Sequence, residues 1–150
     1  EIDQLISLLK TNPQKAFNEF SHQLGISQTY YFMVKGTGKI LSVEEEYLLV
    51  ETDEKAKVKI AIAFIFGNAV RDGSGEVDID GFLNMTDFNN VSVSVNKLVK
   101  ERIVVPLKAS AKTGMLLQFA GATEISSENI KLNDLRIIPV SFNLSYGKTE

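Results

Sequence analysis

Residues 30–51 read YYFMVKGTGKILSVEEEYLLVE. Aromatic and β-branched residues from Tyr30 to Val43 predict a strand, and Tyr47 to Thr52 predict the next. Gly36 and Gly38 interrupt the first strand at its middle. A Gly-x-Gly there could cradle a phosphate or let a long strand bend. A dinucleotide fingerprint needs a third glycine and a helix opening behind it. Leu41 holds the third position, and the strand pattern continues. A P-loop needs Gly-Lys-Ser/Thr at a helix start, which is also absent. The bend is the favoured reading, so Gly36 and Gly38 are structural glycines.

The stretches on either side set the fold class. Upstream, Ile2, Leu5, Ile6 and Leu9 recur at helical spacing. Asn12 and Pro13 form a cap and first-turn pair for a second helix carrying Ala16, Phe17, Phe20 and Leu24, with Gly25 as its stop. Downstream, Ala56, Val58, Ile60, Ile62 and Phe64 alternate with Lys55, Lys57 and Lys59, giving a third strand with one buried and one wet face. Gly67 and Asp72-Gly73-Ser74-Gly75 punctuate the chain. Glu76 to Leu83 alternates as a further extended piece. Asp87 to Asn90 reads as a break, with Val91 and Val93 briefly extended. Ser94 then caps a helix bearing Val95, Leu98, Val99 and Ile103, which Pro106 ends. Met115 to Ile125 and Leu135 to Tyr146 are the last strands, and Pro139 suggests a sheet edge. The order is that of an OB-like β-barrel: five strands, a helix between strands three and four, and two short N-terminal helices before them. Residues 1–28 form the helical segment and 29–150 the barrel. A mixed α+β sandwich is the alternative.

Composition narrows the functional classes. The chain has 150 residues, 44% hydrophobic and 23% charged, enough for one domain with a core. A net charge of −3 disfavours non-specific nucleic-acid binding. With no cysteine there is no disulfide, thiolate metal site or cysteine nucleophile. No run is long and apolar enough to span a bilayer. The sequence starts at Glu1 without Met, in a helical pattern already under way, so it reads as a mature or truncated form.

Candidate sites are sparse. His22, the only histidine, falls on the second helix with no orienting partner in the sequence, so general-base chemistry is disfavoured. Glu44, Glu45 and Glu46 read as a solvated hairpin tip. The acidic strand Glu76-Asp78-Asp80 lacks the EF-hand spacing and reads as a wet face, with an incidental hard-cation site as the lesser reading. The aromatics at period two read as core before they read as a base-stacking face. Arg71 beside Asp72 either pairs locally, the favoured reading, or presents a guanidinium fork to a carboxylate or sugar. No cofactor, metal ligand set or catalytic residue emerges.

Four stretches carry a resemblance: FMVKGTGKILSVEEE (32–46), FGNAVRD (66–72), DFNN (87–90) and QFAGA (118–122). In this order they resemble a family of predicted bacterial periplasmic lipoproteins of unknown function, whose genes commonly lie beside those of sugar-importing ABC transporters of the ribose and xylose type. The resemblance covers about residues 1–145. Its matches are Phe32, Val34, Lys35, Gly36, Gly38, Lys39, Ser42 and Val43, then Gly67, Ala69, Arg71, Asp72, Asp87, Phe88, Asn90, Gly121 and Ala122. Asn68 departs from a usual Thr, Gly73-Ser74-Gly75 and the acidic strand from an apolar stretch, and Val91 from a common Gln.

The resemblance implies a non-enzymatic accessory domain on the outer face of the cytoplasmic membrane. It would be lipid-anchored through upstream sequence and would bind a small sugar, a sugar-binding protein or a transporter component. Lys35, Arg71, Asp72, Asp87 and Asn90 are the polar residues expected to line a functional surface. Two other classes stay open. One is a sugar hydrolase using Asp72 with Asp87 or Glu76 as acid and base. The other is an OB-type oligonucleotide binder.

Overall fold

A computed structural model describes residues 1–23, 28–63, 65, 67–73 and 84–146. Five strands close into a barrel: β1 (Thr29–Val43), β2 (Tyr47–Thr52), β3 (Lys57–Ala61), β4 (Met115–Ser126) and β5 (Arg136–Tyr146), in the spatial order β1-β2-β3-β5-β4. The OB-like expectation holds. β1 makes closure possible because it belongs to both halves. It pairs antiparallel with β4 from Thr29 to Lys39 and with β2 from Gly38 to Val43, so Gly38 and Lys39 pair on both sides.

The glycines act where β1 turns from one partner to the other. A Cβ on Gly38 would lie 2.5 Å from the Glu51 carbonyl oxygen, and one on Gly36 would lie 2.5 Å from Ile2 Cγ2. Both Cβ positions are already occupied, so only glycine lets strand and helix approach this closely. A register shift between Ile40 and Ser42 adds further bend. The barrel closes through a short parallel contact of β3 with β5, at Lys59–Arg136 and Ile60–Ile137. Pro139 lies where β5 has no pairing with β3, an edge-like position of the kind the sequence suggests. It sits opposite Gly121, at the register shift that follows Ala120, beyond the residues where β5 pairs with β3.

Two N-terminal helices, α1 (Ile2–Thr11) and α2 (Pro13–Phe20), lie against the barrel. Ile2, Leu5, Ile6 and Leu9 join one buried cluster with Phe32, Ile40, Leu117 and Phe119. Asn12 caps α2 by accepting from the Lys15 N–H, as the Asn-Pro pair predicts. α2 ends at Phe20, and His22 leaves the helix to form an isolated bridge with Tyr31 of β1. The placement of His22 on the second helix is thus corrected. Leu24 and Gly25, Phe64, and the extended piece Glu76–Leu83 lie outside the described residues, apart from those named above.

The largest difference from expectation lies between β3 and β4. A short helix α3 (Ala69–Gly73) is followed by α4 (Met85–Val99), a π-helical turn (Lys100–Val104) and α5 (Val105–Ser110). The predicted break at 87–90 and the extended Val91–Val93 are helix. Asn84, not Ser94, is the N-cap: its side chain accepts from the Asp87 N–H at 2.8 Å, and its amide donates to the Asp87 carboxylate. Phe88, Ser92 and Val99 face inward and fix the helix by burial, overriding the modest propensity of the Asn-Asn-Val-Ser-Val run. Pro106 does not stop the helix. The Val105 N–H reaches back five residues to the Lys100 carbonyl, a widened frame in which the missing N–H of proline is accommodated.

Candidate functional site

The five polar residues expected on a functional surface separate into three environments. Arg71 and Asp72 on α3 are both buried. Arg71 Nε and one terminal nitrogen donate to the two Asp72 oxygens at 2.7 and 3.0 Å. The other terminal nitrogen donates to the Phe88 carbonyl at 3.1 Å. The guanidinium also lies 3.7 Å from the centre of the Phe88 ring. The fork is therefore directed to its neighbour and clamps α3 to α4. Lys35 is exposed on β1 and pairs with Glu1 at 3.6 Å. Asp87 is exposed in the first turn of α4, and Asn90 is exposed one turn later. Gly67 takes a positive φ of 86° in the turn before α3, which explains glycine there. Of the carboxylates considered for a hydrolase, Asp72 is committed to Arg71 and Asp87 to Asn84, while Glu76 lies outside the described residues.

A different set of residues forms a concave site. On the outer face of β2, β3, β5 and β4 lies a cavity of about 270 Å³, lined by Glu46, Tyr47, Lys59, Glu124 and Arg136 above Ala61, Ala69, Ala122, Thr123 and Ile138. The register explains its shape. Tyr47 stands opposite Ala61, and Ile138 opposite Ala122, so a row of mostly small side chains makes the floor and the Tyr47 ring a wall. Lys59 stands opposite Arg136, so the adjacent row is charged. Lys59 Nζ lies 4.9 Å and the Arg136 guanidinium 5.8 Å from the centre of the Tyr47 ring, within cation–π range. Thr123 donates to the Arg136 carbonyl at 2.7 Å and ties β4 to β5 beneath the site.

Asp134, in the 3₁₀ turn leading to β5, organises the cations. It accepts from Lys59 at 2.6 Å and lies 3.8 Å from Arg136 Nε. The Lys59 hydrogen bond holds its carboxyl below the usual carboxylate range; burial opposes it, and the charges of Lys59, Arg136 and Lys131 add to the lowering. At the far side, Tyr31 stands opposite Glu124. Burial pushes its phenol up first, and the negative charges of Glu124 and Asp72 push it further, with Arg71 opposing.

Two other depressions are less suited to a polar ligand. A groove of about 550 Å³ between α1, α2 and β1 is floored by Leu5, Phe32 and Val34, and two of its three acids, Glu1 and Asp3, already pair with Lys35 and Thr52. A cleft of about 610 Å³ along α4 is lined by asparagines. There Ser92 donates to Asn68, and Asn96 donates to the Gly67 carbonyl, so both amides are engaged in holding the loop before α3. Among the described residues no group of acidic and histidine side chains could hold a metal ion.

The profile of one protein family, DUF2291, described as a predicted periplasmic lipoprotein, matches residues 1–143. The chain belongs to this family. As a DUF2291 member it is a predicted periplasmic lipoprotein, and no helix among the described residues is long and apolar enough to cross a membrane. The DUF2291 chain is also similar in fold to the crystal structure of an OB-fold protein from Thermotoga maritima. The two share 24% identity with a TM-score of 0.84, over 97% of this chain and 85% of that one. No curated protein matches it.

Sequence reasoning reached Lys59 only as part of a wet lysine face and left Tyr47, Glu124 and Arg136 unassigned. The available signal was the alternation of Lys59 with Ala61, a small residue on the exposed face of an otherwise well-filled strand.

Proposed function

We propose that this DUF2291 domain is a non-enzymatic envelope module accessory to a sugar-uptake ABC system, and that it holds a small sugar in the cavity beside Tyr47. One observation carries the reading. The cavity lies on the strand 2–3 face and beside the loop between strands one and two, where OB folds take oligosaccharides and oligonucleotides. An aromatic wall, a floor of small residues and a rim of charged hydrogen-bonding groups suit a sugar ring, which has both an apolar and a polar face. The volume of about 270 Å³ is the scale of one sugar unit and not of a polymer. An acidic chain with a mixed-charge site is a poor match for a nucleic-acid backbone.

Isothermal titration calorimetry of the domain against pentoses and hexoses tests this reading, with Tyr47→Ala as the control. Binding that Tyr47→Ala weakens supports it. No binding of any sugar, with binding instead to the sugar-binding protein of a neighbouring transporter, would make the domain an assembly factor and overturn the sugar reading.

A further inference from the structure

Among the described residues the charges around the Tyr47 cavity are not all paired, and the pattern of the unpaired ones points to a ligand. Lys59 is engaged by Asp134. Arg136 lies 3.8 Å from Asp134 through Nε and makes no side-chain hydrogen bond among the described residues, so among them its two terminal nitrogens have no hydrogen-bond acceptor. The side-chain carboxylates of Glu46 and Glu124 have no ion-pair or hydrogen-bond partner among the described residues. Glu124 and Arg136 line the same cavity, yet no ion pair joins them among the described residues. Here a cation and two acids open onto the same cavity without neutralising one another.

We infer that the cavity selects a sugar carrying both an ammonium and a carboxylate group, an amino-sugar acid, with the carboxylate on Arg136, the ammonium on Glu124 and Glu46, and the ring against Tyr47. A guanidinium fork matches a carboxylate bidentately. An ammonium between two carboxylates is the complementary contact, and its charge removes the repulsion between them. A neutral hexose leaves all three charges solvated and gains only the aromatic wall. A singly charged sugar meets one partner and leaves the other end of the cavity mismatched. The inference rests on the sugar reading above and narrows it.

The test is a calorimetric comparison of glucose, glucosamine, glucuronic acid and muramic acid, which carry neither charge, the amine, the carboxylate and both. The expected order puts muramic acid tightest, by about fivefold over either singly charged sugar, the scale of one solvent-accessible ion pair. Arg136→Gln removes the margin over glucosamine, and Glu124→Gln removes the margin over glucuronic acid. Both side chains are surface groups, and an unchanged thermal midpoint in each variant confirms the fold. Glucose binding as tightly as muramic acid overturns the two-charge inference while leaving the sugar reading intact. Glucosamine or glucuronic acid matching muramic acid also overturns it, by removing the need for one of the two contacts. Muramic acid binding equally to Tyr47→Ala and to the wild-type protein overturns the location. Silence from all four overturns both readings.

Discussion

Arg71 holds both carboxylate oxygens of its chain neighbour Asp72, at 2.7 and 3.0 Å, inside the protein, while its third nitrogen reaches the Phe88 carbonyl. A pair adjacent in sequence is thus turned inward and joins α3 to α4. Removing one partner leaves an uncompensated buried charge, which typically costs about 3–5 kcal/mol. Arg71→Ala and Asp72→Ala should each lower the thermal midpoint by several degrees at about 2–4 °C per kcal/mol. The double variant Arg71→Met with Asp72→Leu should lose less than the sum of the two single changes, because no orphan charge remains. Thermal unfolding by circular dichroism checks this. Single variants that melt like the wild type would show that the pair is not a structural clamp.

The two glycines of β1 should differ in sensitivity. A Cβ on Gly38 meets backbone at Glu51, whereas one on Gly36 meets the side-chain ends of Ile2 and Phe119. Backbone in a paired ladder yields less readily than a side-chain tip. Gly38→Ala should cost about 1–3 kcal/mol, the scale of overpacking, and more than Gly36→Ala. Denaturant unfolding that ranks them the other way would contradict the close-approach account.

The cap of α4 is testable in the same way. Asn84→Ala removes the acceptor for the Asp87 N–H and should cost about 1 kcal/mol. Asn90→Ala, exposed on the same helix, should leave the denaturation midpoint close to the wild-type value.

Asp134 provides the pH prediction. Its carboxyl lies below the ordinary range in the folded state, chiefly because Lys59 donates to it. The pair therefore contributes stability above the unfolded carboxyl pKa, and that contribution is lost as pH falls through the lowered folded value. Carbon-detected NMR titration should place Asp134 below an ordinary aspartate, and Lys59→Met should raise it toward the ordinary value. An unchanged Asp134 midpoint in Lys59→Met would show that the 2.6 Å contact does not persist in solution.

The barrel was legible because its decisive signals are local. Gly36 and Gly38 mark the bend within one strand, and Val58, Ile60 and Ile62 alternate over five residues. α4 was not, because Val91-Ser92-Val93-Ser94-Val95 alternates like a strand. Only the burial of Phe88, Ser92 and Val99 against distant parts of the fold settles it as helix. The site was hidden for a related reason. Tyr47 and Arg136 lie far apart in sequence, and the parallel contact of β3 with β5 brings them to one face. Arg71 was noticed for its charge and its glycine-bounded corner, but sequence does not reveal which way a guanidinium points.

The most direct measurement is a residue-resolved NMR titration of the labelled domain with muramic acid, following backbone amides throughout the barrel. The account predicts that the largest shifts fall on Tyr47, Lys59, Ala61, Glu124, Arg136 and Ile138, and that Ala61→Leu, which fills the cavity floor, abolishes them without changing the thermal midpoint. Shifts concentrated instead along α4 around Asn68 and Asn96, or in the groove between α1 and β1, with the Tyr47 face unmoved, would contradict it.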